Sequence, residues 1–206
     1  MNRNWNWKWV YDPFEKIAGW KAFGIGIVIL CIATVIGYFG NMVFYGISIK
    51  GAPYLTWGKA FSLHGLGLAV TVIVMWIIAL LSAKHVRFQD ILGTITLAKY
   101  PLVIEIVLLL AFSKWMNEFA STIMSAGSIQ GIMEMFNNLT ILDYTLLFVH
   151  TMIALLFLVW TIALLFNAFR VSTNLKGGKC VLLFVAGVLI SEIIIQVIIL
   201  NHLVII

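Results

Sequence analysis

The stretch Ala22–Tyr45, AFGIGIVILCIATVIGYFGNMVFY, decides the fold. It carries no charged residue. A helix needs about 20 apolar residues to cross the ~30 Å hydrocarbon core of a bilayer. Four more runs of this kind follow, at Phe61–Ala83, Ile91–Ser113, Tyr144–Phe169 and Val181–Leu200. None keeps the period-two alternation of a barrel strand. Backbone groups in lipid must bond within their own segment, which leaves helices. The sequence therefore predicts an all-α polytopic membrane protein, a bundle of five transmembrane helices. Residues 1–21 form an amino-terminal interfacial segment, and residues 22–206 form the membrane domain with an amphipathic outer loop at 114–143.

Composition agrees. The chain has 206 residues, 63% apolar and 10% charged, against about 25% charged in soluble domains. One bundle uses the whole chain. A net charge of +5 reads as basic membrane-flanking loops, not as a nucleic-acid surface. Arg3, Lys8, Lys16, Lys21, Lys84, Arg87, Arg170, Lys176 and Lys179 fall on one side, and only Lys50, Lys59 and Lys114 on the other. The positive-inside rule then puts the amino terminus in the cytoplasm and the carboxyl terminus outside, in a membrane that reads as a bacterial inner membrane.

Local features fill in this outline. Trp5, Trp7, Trp9, Tyr11 and Trp20 suit the headgroup region of the inner leaflet. Asp12-Pro13 followed by Glu15 marks a helix start. Small residues at four-residue spacing predict packing seams: Ala33, Gly37 and then Gly40 in the first span, Gly65 and Ala69 in the second, Gly187 and Ser191 in the fifth. The loop from Lys114 to Asp143 is unusually apolar, and two short amphipathic helices on the outer surface are expected there. Cys31 and Cys180 are not expected to pair. Asn138-Leu-Thr140 matches a glycosylation sequon, a weak three-residue signal.

Ionisable residues inside the spans are the candidate site. A charge at the bilayer centre costs about 2.5–3.5 kcal/mol on insertion scales, so such groups face the bundle interior and find partners. The candidates are Glu105, Glu192, Lys99, His150 and His64. Counting along ideal helices puts Glu105 roughly 12 Å, and His150 roughly 9 Å, below the outer ends of their spans. A glutamate–histidine cluster there is geometrically open. Lys99 is expected to snorkel toward the cytoplasmic face. Structural glue between helices is the plain alternative. No catalytic motif, cofactor site or metal-ligand spacing is present in the sequence.

Two segments carry a further pattern: FQDILGTITLAKYPLVIE at Phe88–Glu105 and WTIALLFNAFRVSTNLKGGK at Trp160–Lys179. With DPFEK at Asp12–Lys16 and five spans, the chain resembles the bacterial branch of the Yip family (Ypt-interacting proteins). The motif residues are Gly93, Thr94, Lys99 and Pro101 at the start of span three, and Asn167, Ser172, Asn174, Lys176 and Gly177 at the end of span four. Pro101 is expected to kink span three, and Asn167, Ser172, Thr173 and Asn174 to satisfy carbonyls where span four ends. The resemblance implies a five-span fold with a cytoplasmic amino terminus. The DLYGP motif and the long cytosolic region of the eukaryotic members are missing, which argues against small-GTPase binding.

The expectation is a non-enzymatic, Yip-like integral membrane protein that organises the membrane or an assembly within it. Its partners are the lipid bilayer and a membrane protein or a second copy of itself. The alternative is a small transporter or proton-coupled permeation protein using the intramembrane glutamates.

Overall fold

The computed structural model describes residues 8–52, 55–82 and 85–203. Arg3, Trp5, Trp7 and Lys84 lie outside them, as do the side chains of Lys8, Trp9, Asn201 and His202. The elements run α1 (Lys8–Tyr11), a 3₁₀ turn (Pro13–Glu15), α2 (Gly19–Phe39), β1 (Met42–Phe44), β2 (Ile49–Gly51) and α3 (Trp57–Ser82). They continue with α4 (Phe88–Leu97), α5 (Pro101–Leu109), a 3₁₀ turn (Leu110–Phe112), α6 (Ser113–Ser125), α7 (Ile129–Asn137), α8 (Ile141–Thr173) and α9 (Gly177–Leu203). Five helical stretches are long and apolar enough to cross a membrane, the third being α4 through α6. The chain is an all-α polytopic bundle.

The first span stops earlier than the apolar run. Gly40 closes α2 with its N–H on the carbonyls of Ile36 and Gly37, and Asn41 turns the chain at φ 53°. Met42–Phe44 then pairs antiparallel with Ile49–Gly51, Phe44 opposite Ile49. The expected span end at Tyr45 is therefore replaced by a hairpin, because a left-handed residue cannot continue a right-handed helix.

Span three is the centre of the bundle, with Ile91, Ile95, Leu102 and Ile106 fully buried. Pro101 breaks it as expected. Leu97 has lost the proline N–H as a donor, and its carbonyl takes the N–H of Tyr100 at 3.0 Å instead. Alongside it α2 runs parallel, at backbone contact. A methyl group on Gly26 would lie 2.8 Å from the backbone of Thr96 and Leu97, and one on Gly93 would strike the carbonyl of Gly19. On the opposite flank α8 joins α4 through Thr94 and Ser172, whose hydroxyls are 2.8 Å apart. The α3–α9 contact uses Gly187, which sits against the Met75 sulfur and Ile78.

The seam expected at Gly65 and Ala69 faces outward instead. Both are exposed, and nothing lies within 4 Å of a methyl built on Gly65. The glycine that α3 uses for close contact is Gly67, half a turn away, where a side chain would run into the backbone of Tyr45. The loop at 114–143 forms α6 and α7, divided at Gly127 (φ 63°) and capped by the Ser128 hydroxyl, which accepts the Gly131 N–H at 3.1 Å. Phe119 and Phe136 meet edge to face across them.

Contact this close makes a prediction. Gly26→Val puts a branched side chain into the Thr96–Leu97 backbone and should destabilise the bundle by about 1–3 kcal/mol, the usual cost of overpacking. Gly65→Ala, in open space, should be neutral. Thermal unfolding of both variants in detergent checks this.

Candidate functional site

The hairpin is not a surface loop. Met42, Val43, Phe44 and Gly46 are buried, and the backbone of Tyr45 rests on Gly67. Gly67 lies ten residues into α3, about 15 Å along a helix long and apolar enough to cross a membrane. Non-helical backbone at that depth must find hydrogen-bond partners in the protein. Three of the spans supply them, and α2 supports one of those partners through Thr34.

From α3 comes His64. Its Nε2 accepts the Phe44 N–H at 2.9 Å, and its ring stacks on the Phe44 ring with centroids 3.7 Å apart. Its Nδ1 meets the Thr34 hydroxyl of α2 at 2.5 Å, while that hydroxyl donates to the Leu30 carbonyl at 2.8 Å. Thr34 has spent its proton on Leu30, so Nδ1 must be the donor and Nε2 the acceptor. The network fixes a neutral imidazole with its proton on Nδ1.

From the break in span three comes Lys99. It is 1% exposed, and its Nζ donates to the Gly46 carbonyl at 3.3 Å. This corrects the expectation that Lys99 snorkels to the cytoplasmic face. The hairpin brings an acceptor to the ammonium, and the ammonium stays inside.

From α9 comes Glu192. Its carboxylate accepts the Ile47 N–H and lies within electrostatic reach of Lys99 and Lys50. A methyl on Gly46 would collide with both its oxygens. Its Oε1 is buried with no partner among the described residues. Lys50 also stands over the Tyr45 ring, 4.9 Å from its centroid. The hairpin tip thus lies between the buried Lys99 cation and the half-buried Glu192 carboxylate, with glycine at a position where a side chain would strike the carboxylate.

The other candidates stand apart. Glu105 is 2% exposed and points into the bundle, as expected for so short a side chain, but burial alone shapes its setting and no charged group contributes to it. Its Oε2 is unpartnered. His150 is half-buried against Phe112, ring centroids 6.1 Å apart. The structure therefore joins Lys99, Glu192 and His64 through the hairpin and leaves Glu105 and His150 out. Among the described residues, no three His, Cys, Asp or Glu side chains are placed to share a metal ion.

The motif residues of span four serve a different segment. Asn167 donates to the Tyr11 carbonyl at 2.7 Å, and Arg170 pairs with Asp12 at 3.0 Å. Trp160 Nε1 and the Tyr100 hydroxyl both donate to the Val10 carbonyl, at 2.9 and 2.8 Å. Thr173 does bond a carbonyl of its own helix, Phe169 at 2.7 Å, and Asn174 closes α8 in the left-handed conformation at φ 53°. Lys176 and Gly177 line an open cleft with Glu15 and Arg170. Sequence reasoning missed Gly46, Phe44 and Thr34. The signal available was Gly40-Asn41, a helix stop inside an apolar run.

The tip geometry is sensitive to one methyl group. Gly46→Ala should displace Glu192 or the hairpin and raise amide exchange at Phe44 and Ile47 by at least about tenfold, a shift near 1.4 kcal/mol in opening. Exchange monitored by mass spectrometry in nanodiscs reads this, and unchanged protection refutes the packing described. No protein-family model, curated protein or solved structure matches the chain, so the comparisons lend no support to the likeness to the Yip family.

Proposed function

We propose that this chain is a small proton-coupled permeation protein in which Lys99 and Glu192 exchange a proton near the middle of the membrane. The observation that carries the reading is the re-entrant hairpin, which brings irregular backbone to a fully buried lysine at the break of span three. In membrane proteins, irregular backbone at depth is either buried in protein or lines a polar pathway, and the broken helices of transporters carry their binding sites. Ionisable residues there mark ion and proton routes.

The chemistry balances. Glu192 Oε1 has no partner and is the atom that takes up the proton. Lys99 is then left as a buried cation without its carboxylate, an arrangement strongly disfavoured at low dielectric. It releases a proton from Nζ to the opposite side. Reprotonation of Lys99 by Glu192 restores the starting state, with one proton carried across and no net change in the protein. The fixed cation at this position also disfavours entry of a metal ion. In this reading the protein sits in a bacterial inner membrane with its amino terminus in the cytoplasm, the hairpin and α6–α7 outside, and the carboxyl terminus outside.

A second reading is a Yip-like protein that organises the membrane by self-association. One observation favours it: Gly58, Ser62, Gly65 and Ala69 form an exposed small-residue stripe along α3, a surface suited to close helix pairing in lipid.

Proteoliposomes holding a pH-sensitive dye separate the two. With an imposed pH gradient, the parent protein should carry protons faster than empty vesicles. Glu192→Gln and Lys99→Met should cut the rate by at least about tenfold while the bundle stays folded in thermal unfolding. Glu105→Gln, outside the site, should keep it. A parent flux equal to that of empty vesicles overturns the reading.

Orientation has its own test. Single cysteines in Arg170–Lys179 should be shielded from an impermeant reagent in intact cells, and cysteines in Lys114–Asp143 should react. The reverse pattern inverts the proposed topology.

A further inference from the structure

We infer that His64 is an acid-sensitive latch that holds the hairpin over the Lys99–Glu192 site and releases it when the ring takes up a second proton. The inference rests on the permeation reading for its purpose, though its mechanism stands on the hydrogen bonds alone. The Phe44 N–H points away from β2 and is a buried donor at bilayer depth. Its acceptor is Nε2 of a neutral imidazole. Protonation turns Nε2 into a donor, so two N–H groups face each other across 2.9 Å. Nδ1 offers no relief, because its proton already goes to Thr34, whose own proton goes to Leu30. The closed hairpin therefore has no place for the second proton. The released hairpin does, since both ring nitrogens and the Phe44 N–H then meet water.

The sign follows. A proton that binds only the released form favours release as pH falls. An imidazole in water takes up its proton near pH 6.5, so opening begins below about that value. Thr34 is the polar neighbour of the ring from α2, Phe44 meets it from the hairpin, and Lys99 at the break of span three is the charged group that acts on it. Lys50 and Glu192 act on each other at the hairpin tip. Glu192 is the other group that could respond to acid at the tip, and the test must separate it from His64.

The element that the latch would move is the hairpin. The hairpin joins α2 and α3 at the end of the bundle that carries α6 and α7. Its tip rests on Gly67, whose missing side chain lets the Tyr45 backbone lie directly on α3. Loss of the His64 contact removes one of the three side-chain hydrogen bonds on the hairpin, leaving those of Lys99 and Glu192. Acid outside would then open a route to the carboxylate that takes up the proton, so permeation would run only when the outer side is acidic.

The test reads hairpin position and needs no transport. Ile47→Cys is introduced into a Cys31→Ala, Cys180→Ala background in nanodiscs. Its reaction with an impermeant thiosulfonate is scored against a cysteine at exposed Ser125, which cancels the loss of thiolate in acid. Relative labelling should rise at least about fivefold between pH ~7.5 and ~5. His64→Gln keeps an acceptor for the Phe44 N–H in its amide oxygen and cannot titrate, so its labelling should stay flat and low. Glu192→Gln should retain the acid response. Thr34→Val, which leaves the ring in place and frees Nδ1, should move the opening to higher pH; it carries the test if His64→Gln does not fold. A parent without acid response, an equal response in His64→Gln, loss of the response in Glu192→Gln, or an unchanged midpoint in Thr34→Val overturns the latch. Flux that fails in vesicles while the labelling pattern holds would overturn the permeation reading and leave the latch standing.

Discussion

A peptide group cannot be left without a hydrogen bond in the middle of a bilayer, and the arrangement around the hairpin answers to that constraint. A two-stranded hairpin satisfies its inward edges by pairing, but its outer edge and its turn remain. Three of these groups are met by side chains from three different spans. The Phe44 N–H goes to His64 of α3, the Gly46 carbonyl to Lys99 between α4 and α5, and the Ile47 N–H to Glu192 of α9. These are the polar residues whose burial would otherwise be hardest to explain. The hairpin makes the buried lysine tolerable, and the lysine makes the hairpin tolerable.

The same division of labour recurs at the opposite end. The Val10–Asp12 segment is non-regular at its end and is held by Tyr100, Trp160, Asn167 and Arg170. Phe14, just beyond, is fully buried under the bundle. Lys99 and Tyr100 are adjacent residues at the proline break, and they serve the two segments from opposite sides. The break in span three is thus the point where both irregular segments are anchored. A straight helix would carry its side chains along a fixed spiral; the break lets two neighbours reach in different directions.

The five spans were legible because each is a long run of apolar residues, and no alternative structure suits such runs in lipid. The Pro101 break and the division of the 114–143 loop were legible for a similar reason: proline and glycine act locally. The hairpin was not. Met42-Val-Phe-Tyr45 continues an apolar run without a polar interruption, and hydropathy does not distinguish a buried strand from the last turn of a helix. Gly40-Asn41 carried the only local warning. The candidate site was half legible. That Lys99, Glu192 and His64 matter followed from their cost in the membrane. That they share a partner did not, because Gly46 lies 53 residues from Lys99, and neither sequence periodicity nor depth counting reports on that separation. Depth counting also grouped Glu105 and His150 with Glu192, since it gives height in the membrane but not direction around the helix.

Direction is what separates functional from structural polarity in this bundle. Thr71, Thr94, Thr96 and Thr173 are all buried, yet each donates to a carbonyl three or four residues back in its own helix. Such residues satisfy themselves and would do so in any packing of the spans. His64, Lys99 and Glu192 cannot, because a ring acceptor, an ammonium and a carboxylate have no suitable partner within their own helices at that depth. Their stability is conditional on the hairpin being in place, and the hairpin's on them. Conditional burial of this kind ties the protonation of three side chains to the position of one short segment. A set of self-satisfied hydroxyls, however numerous, would leave the bundle indifferent to pH; under the latch proposal, these three groups give it a means of responding.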